Sequence, residues 1–429
     1  MGRLAVLDGS PAAVTDGGNA TAGPVARGSV ARVGIATAVT AVCGYAVLYL
    51  AARTLDPAGF SLFGVFWGAF GLVTGAANGL LQEATREVRH GRHSPPAAGD
   101  PHTRPMWVAA AVGLAAALAI AVTAPWWSPH IFTASTGLSV VLLAVGLAGF
   151  CLHATLLGML AGVGRWTAYG SLMVTDAVIR VLIALATFLL GWGLVGFLWA
   201  TVAGAVAWVL LLMVSTTARS AARLTTGGSV GTFLRGSAHS IAAAGASAIL
   251  VMGFPVLLKA TSGELGAAGG VVILAVTLTR APLLVPLTAM QGNLIAHFVD
   301  DGRRAGRLKP LLMPAAAVGA LGLVGIVAAA ALGPWLLRQA FGPEYQTSGA
   351  LLAWLTAGAI SVALLTLTGA ATVAAALHRA YSIGWVGATV AAAALLTLPL
   401  DLESRTVVAL LCGPLVGIAV HLAALARSE

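Results

Sequence analysis

Apolar residues run along this chain in long blocks, broken by short polar or basic stretches. The blocks do not alternate apolar with polar, so they predict helices rather than the strands of a barrel. A spanning helix needs roughly 20 apolar residues. On that measure the runs at about 33–52, 59–81, 106–127, 136–162, 168–190, 192–214, 237–258, 267–292, 311–333, 349–371, 381–400 and 405–425 predict twelve spans. The fifth and sixth are joined only by Gly191-Trp192-Gly193. Together, 168–214 is too long for one crossing, so a hairpin is required there. The predicted fold class is all-α, a polytopic membrane protein of about 12 transmembrane helices.

Loop charge tests the count, because Lys and Arg concentrate in cytoplasmic loops. Of the 23 Lys and Arg, 17 fall on the tail and every second loop. Only four, Arg53, Lys259, Arg338 and Arg405, fall on the opposite loops, and two, Arg180 and Arg280, lie inside spans. A miscounted span would scramble this parity. Both termini are therefore expected in the cytoplasm of a bacterial cell membrane.

The halves also repeat. Arg27-Gly28-Ser29 precedes the first run and Arg235-Gly236-Ser237 opens the seventh. Each run ends in a positive residue, Arg53 or Lys259, and each following run ends near Gln82 or Gln291. Six spans per half is even, so the halves share orientation and relate by an axis along the membrane normal. The predicted division is a disordered cytoplasmic tail (1–28), a six-helix bundle (29–214), a cytoplasmic linker (215–236) and a second six-helix bundle (237–429). Repeats of this kind build transporters, with a substrate path between the halves.

Composition adds a little. The chain is 59% hydrophobic and 9% charged, so its net charge of +9 belongs to inner loops and not to a nucleic-acid module. Cys43, Cys151 and Cys412 sit in apolar runs and read as packing residues. His90, His93 and His102 share the longest inner loop, about 82–105, and read as solvated rather than metal-binding. No Gly-rich phosphate loop with Lys and no pair of loop carboxylates suited to catalysis occurs; Asp401 and Glu403 read as solvated acids of a short outer turn. The chain is expected to be no enzyme and to need no cofactor or metal. Its Arg- and Ala-rich, Lys-poor usage suggests a GC-rich bacterium.

Three charges lie deep in spans, where each costs roughly 2.5–3.5 kcal/mol on insertion scales. Asp176 and Arg180 are four apart on one helix face. They read either as a structural ion pair or as a cavity wall, with Asp176 the candidate for ion coupling. Arg280 has no acid on its own helix and stands beside Pro282 and Pro286. It reads as lining a cavity where it would attract phosphate, or as pairing with Asp176. Asn78, Gln82, Gln291 and Asn293 occupy equivalent inner ends of the second and eighth spans. They read as interhelical hydrogen-bonding residues or as a headgroup mouth. His153 and His421 read as packing residues.

Two stretches carry a family resemblance. Arg53-Thr54-Leu55-Asp56-Pro57-Ala58-Gly59-Phe60-Ser61 resembles the first outer loop of polysaccharide flippases, with Asp56 and Ser61 at the family's two glycine positions. Phe341-Gly342-Pro343-Glu344-Tyr345 resembles that family's segment between spans nine and ten. The usual Gly-x-Tyr before the eighth span is replaced by Ala267-Ala268-Gly269-Gly270. The family belongs to the multidrug/oligosaccharidyl-lipid/polysaccharide exporter superfamily. The resemblance implies two six-helix bundles in a V around a central cavity. It also implies transfer of undecaprenyl-pyrophosphate-linked sugars across the membrane by alternating access. Arg280, Arg180, Asn78, Gln82 and Gln291 would then meet the lipid-linked oligosaccharide. Membrane lipids, a polysaccharide polymerase and glycosyltransferases would be the partners. The alternatives are an ion-coupled drug or metabolite antiporter of the same superfamily and a membrane enzyme acting on polyprenyl-linked sugars.

Overall fold

The computed structural model describes residues 27–93, 101–290, 294–295, 297–299 and 306–428. Most of the predicted tail and the sites Gln291 and Asn293 lie outside these residues. The first half comprises α1 (Arg27–Thr54), α2 (Pro57–His93), α3 (Pro105–Ile131), α4 (Thr136–Gly162), α5 (Trp166–Leu190), α6 (Gly193–Ala203) and α7 (Ala207–Val214). A short α8 (Thr216–Ala222) follows. The second half comprises α9 (Val230–Val251), α10 (Phe254–Thr261), α11 (Gly266–Ala289), α12 (Lys309–Phe341), α13 (Gly349–Ala374), α14 (His378–Leu396) and α15 (Leu402–Ala426). Among the described residues, eleven helical stretches are long and apolar enough to cross a membrane, and α9 with α10 makes twelve when counted as one bent span. A single 3-10 turn, Gly204–Val206, joins α6 to α7 within one such stretch. The protein is a polytopic, helical membrane protein.

The structure moves several expected boundaries. The seventh run, expected as one helix over 237–258, is two helices bent by 65° at Met252 and Gly253. Pro255 lacks the N–H that a continuous helix would offer to the Val251 carbonyl. The loop expected to start near 82 is helical to His93, because α2 continues through a polar turn stitched by Glu83 and Arg86. The linker is also ordered: its Thr226–Gly227 pairs antiparallel with His102–Thr103, so His102 sits in a two-residue strand. Asp56, where the family carries glycine, caps α2 by accepting the Gly59 N–H at 2.8 Å, with Pro57 at the first helical position.

Helix packing follows the sequence repeat. In the first half α1 packs on α5, α2 on α4, α3 on α4 and α5 on α6. In the second half α9 packs on α14, α11 on α13, α12 on α13 and α14 on α15, the same pairings in the same order. The halves meet along α2, which packs on α9, α10 and α11. There Gly64 faces Ile273, Gly68 faces Pro255, Gly71 faces Met252, Gly75 faces Ala248 and Gly79 faces the backbone of Ser240 and Ile241. Small residues on one stripe let backbones touch where lipid offers no hydrophobic drive between helices. A Cβ at Gly79 would overlap the α9 backbone, so Gly79→Leu should force the halves apart. The expected result is a loss of about 1–3 kcal/mol, typical of overpacking, read as a lower unfolding temperature in detergent. An unchanged temperature would show that this seam is loose.

Candidate functional site

The break between α9 and α10 positions the most unusual side chain. Arg280 is 6% exposed, on α11. Its Nη1 reaches the Leu250 carbonyl at 3.4 Å and the Val251 carbonyl at 3.3 Å. Its guanidinium carbon lies 5.0 Å from the centre of the Phe254 ring. The carbonyl that Pro255 leaves without a helical donor thus receives one from another helix. The α9 C-terminus, where backbone carbonyls collect, faces the cation. No carboxylate among the described residues pairs with Arg280, and its Nε and Nη2 are buried without partners. Two buried charged donors are thus left without an acceptor among the described residues, which is rare and calls for a physical reason.

Asp176 and Arg180 form a closed unit instead. Nε and Nη2 of Arg180 bind the two Asp176 oxygens at 3.0 Å each, and Nη1 donates to the Thr201 carbonyl at 2.6 Å. The guanidinium also lies 5.4 Å from the Phe70 ring centre. Gly204 leaves the space, because a Cβ there would meet the pair. Asp176 is therefore Arg180's partner; Arg280 is held by carbonyls and an aromatic ring, so the expected alternative of an Arg280–Asp176 pair is not what forms. The pair is held against the inside of the first half.

The remaining candidates are dispersed. Asn78 is half-buried and Gln82 exposed on α2. Arg280 lies seven residues inward of Ile273, which faces Gly64, so Asn78 is about seven residues or roughly 10 Å further along the axis. His153 is buried and stacks on Phe150 at 5.4 Å. His421 is buried between Thr368, whose Oγ1 is 3.0 Å from Nδ1, and the Tyr381 carbonyl, 3.3 Å from Nε2. A carbonyl only accepts, so Nε2 carries the proton. Asp401 is a helix cap: it accepts the Ser404 N–H at 3.0 Å, which holds its carboxyl below the usual range.

Two features escaped sequence reasoning. Glu83 is 2% exposed, toward the C-terminal side of α2. Arg86 grips it at 3.0 and 2.6 Å, and the Gly236 backbone of α9 presses on the carboxylate. The i,i+3 spacing of Glu83 and Arg86, and a glycine opposite, were the only signals. The second feature joins the two family-like stretches. Tyr345 is 2% exposed and donates its phenol to the Leu55 carbonyl at 3.0 Å. Its ring packs edge-on to Phe60 at 6.0 Å and near Phe341 at 6.2 Å. These segments lie 290 residues apart and latch the halves at the end that loop charge predicts to be outer.

No protein-family model matches the chain. Full-length relatives do. The uncharacterized protein Mb3654 of Mycobacterium bovis is 67% identical over 430 residues, covering 100% of this chain and 99% of its own. The uncharacterized protein Rv1510 of Mycobacterium tuberculosis is 67% identical over 408 residues, covering 95% of this chain and 94% of its own. The chain belongs to this mycobacterial family. Among solved structures, an inward-facing multidrug resistance MATE family transporter of the MOP superfamily superposes with a TM-score of 0.68 at 14% identity, over 92% of this chain and 98% of its own. An outward-facing MATE transporter gives 0.62 at 14% identity, over 94% and 97%. The family therefore has the twelve-helix MATE fold.

Two tests follow from the geometry. Arg280→Met removes the donor from the Val251 carbonyl and should cost about 1–3 kcal/mol, the usual penalty for an orphaned buried group. Adding Pro255→Ala returns an N–H to that carbonyl, so the double variant should regain part of the loss in thermal unfolding; strict additivity would disprove the pairing. Tyr345→Phe removes only the latch bond and should raise labelling, by a membrane-impermeant maleimide, of a cysteine placed at Ala58. Burial, then Asp56 and Glu344, raises the Tyr345 phenol above its ordinary value of 10.0. Its contribution should thus be complete below pH 10 and fade as pH climbs through the raised value.

Proposed function

We propose that the protein is a flippase for polyprenyl-pyrophosphate-linked sugars, working by alternating access in the bacterial cytoplasmic membrane. The observation that carries this reading is Arg280: a buried cation beside a broken span, with no acid and no acceptor for two of its donors among the described residues. Such a site favours an anionic group, and a guanidinium fork suits phosphate oxygens. Half-helix ends at mid-membrane are where transporters of repeated architecture bind their cargo. The resemblance of the Arg53–Ser61 and Phe341–Tyr345 stretches to polysaccharide flippases supports the lipid-linked substrate.

The bundles over 29–214 and 237–429 would rock about the α2 seam, with 215–236 linking them. The latched Tyr345 and the higher TM-score to the inward-facing neighbour, 0.68 against 0.62, favour an inward-facing state. Arg280 would receive the pyrophosphate once the halves separate around it. Asn78, Gln82 and Gln291 would meet the headgroup at the inner mouth. Arg180 has every nitrogen engaged and would join only if Asp176 took up a proton, which is the coupling role assigned to that acid. The tail would stay in lipid, and a polymerase and glycosyltransferases would supply and consume the cargo.

The competing reading is an ion-coupled drug or metabolite antiporter, which the multidrug MATE neighbours favour. One assay separates them. A deletion strain should accumulate lipid-linked sugars in the inner leaflet, and Arg280→Ala should fail to clear them, with transport down more than tenfold. That loss is modest against the 2–5 kcal/mol expected on truncating a buried charged contact. Export of a soluble compound with no stalled lipid intermediate would establish the antiporter instead.

A further inference from the structure

A second cationic site lies away from Arg280, at the predicted inner rim of the first half. A cavity of about 420 Å³ opens there between the start of α1, the turn before α5 and the junction of α7 with α8. Arg32 and Arg165 flank it, with Thr167, Ser171, Ser215 and Thr217 supplying hydroxyls. Arg32 is anchored by one bond, Nη1 to the Thr167 Oγ1 at 3.2 Å, which leaves its Nε and Nη2 to donate elsewhere. No carboxylate among the described residues forms a salt bridge with either arginine. Gly164, at φ +75°, turns the chain so that Arg165 stands immediately before α5. Trp166 lines the same cavity, and an indole at this level suits the boundary between headgroups and acyl chains.

The arrangement is local to one half. Arg27 and Arg235 occupy equivalent places in the repeat, and at that spacing Arg32 corresponds to Ser240. The repeated fold therefore does not by itself place the Arg32 cation here. Two arginines from separate helices, converging on a polar hollow at the membrane boundary, match the chemistry of a phosphate group. Basic hollows between spans on the cytoplasmic side hold anionic headgroups.

We propose that this cavity binds the phosphate group of an anionic lipid from the inner leaflet. Arg32 and Arg165 contact its oxygens and the hydroxyls of Ser215 and Thr217 complete the shell. A headgroup there bridges α1, α5 and the start of the linker, and so ties the linker to the first half. The proposal uses the inward orientation given by loop charge and is independent of the cargo carried at Arg280.

The test is retention of phosphatidylglycerol, phosphatidylcholine or inorganic phosphate by the purified full-length chain, measured by native mass spectrometry from detergent. The unaltered chain should hold phosphatidylglycerol well above phosphatidylcholine. The double substitution Arg32→Gln with Arg165→Gln should weaken phosphatidylglycerol binding roughly thirtyfold and leave phosphatidylcholine unchanged. Both side chains are exposed, so thermal unfolding without lipid should not change. Arg379→Gln, at the matching turn of the second half, should have no effect. Equal phosphatidylglycerol retention by the double variant would overturn the proposal. Specific retention of inorganic phosphate with no preference for phosphatidylglycerol would assign the site to a soluble phosphate and overturn the lipid.

Discussion

Inside hydrocarbon a backbone carbonyl without a donor is costly, and no water is at hand to supply one. Pro255 creates that situation in the middle of the seventh span by removing the N–H due to Val251. Arg280 answers it from the neighbouring helix, with Phe254 lying against its guanidinium. The bend at Met252 and Gly253 and the anchoring of Arg280 Nη1 meet at this one exchange. The corresponding first span has Val47 where the seventh has Pro255, at the repeat spacing of 208 residues, and α1 runs without a break from Arg27 to Thr54. Pro255 against Val47, together with Arg280 against Leu72 at the same spacing, places this broken span and its cation in the second half alone.

The seam between the halves uses the opposite kind of contact. Along α2 the stripe from Gly64 to Gly75 receives side chains of the second half, Gly79 meets the α9 backbone itself, and the contact ends beyond Gly79 in Glu83 against Gly236. At the other end it finishes in the Tyr345 latch. Packing of this type has two arrangements rather than a continuum, because closely fitted surfaces either mesh or separate. The polar contacts at the two ends are the ones that the proposed rocking would make and break. The Asp176–Arg180 pair, by contrast, lies within one half.

Much of the architecture was legible along the chain. The length of the apolar runs gave the number of crossings, and the parity of loop arginines agreed with it. The repeat of Arg27-Gly28-Ser29 as Arg235-Gly236-Ser237 anticipated helix pairings that recur in order. The four-residue spacing of Asp176 and Arg180 anticipated their contact, since helix geometry alone brings such residues together. The family-like stretches could be read separately, but nothing in either announced that Tyr345 would reach the Leu55 carbonyl. Glu83 drew no reading because it falls in the 82–105 stretch expected as loop, whereas α2 continues past its apolar run to His93.

The sequence by itself determined the helical class, the crossings and the presence of charge inside spans, because each depends on local composition and on spacing along one helix. The tertiary structure alone decided which charges are occupied. Arg180 has all its nitrogens filled and Arg280 does not, although both read as midplane arginines. The difference comes from neighbours far apart in sequence: a carbonyl at Thr201 and space beside Gly204 for one, and the broken end of α9 for the other. Hydrophobic periodicity carries no record of which distant carbonyl a side chain meets, so that assignment waited for the fold.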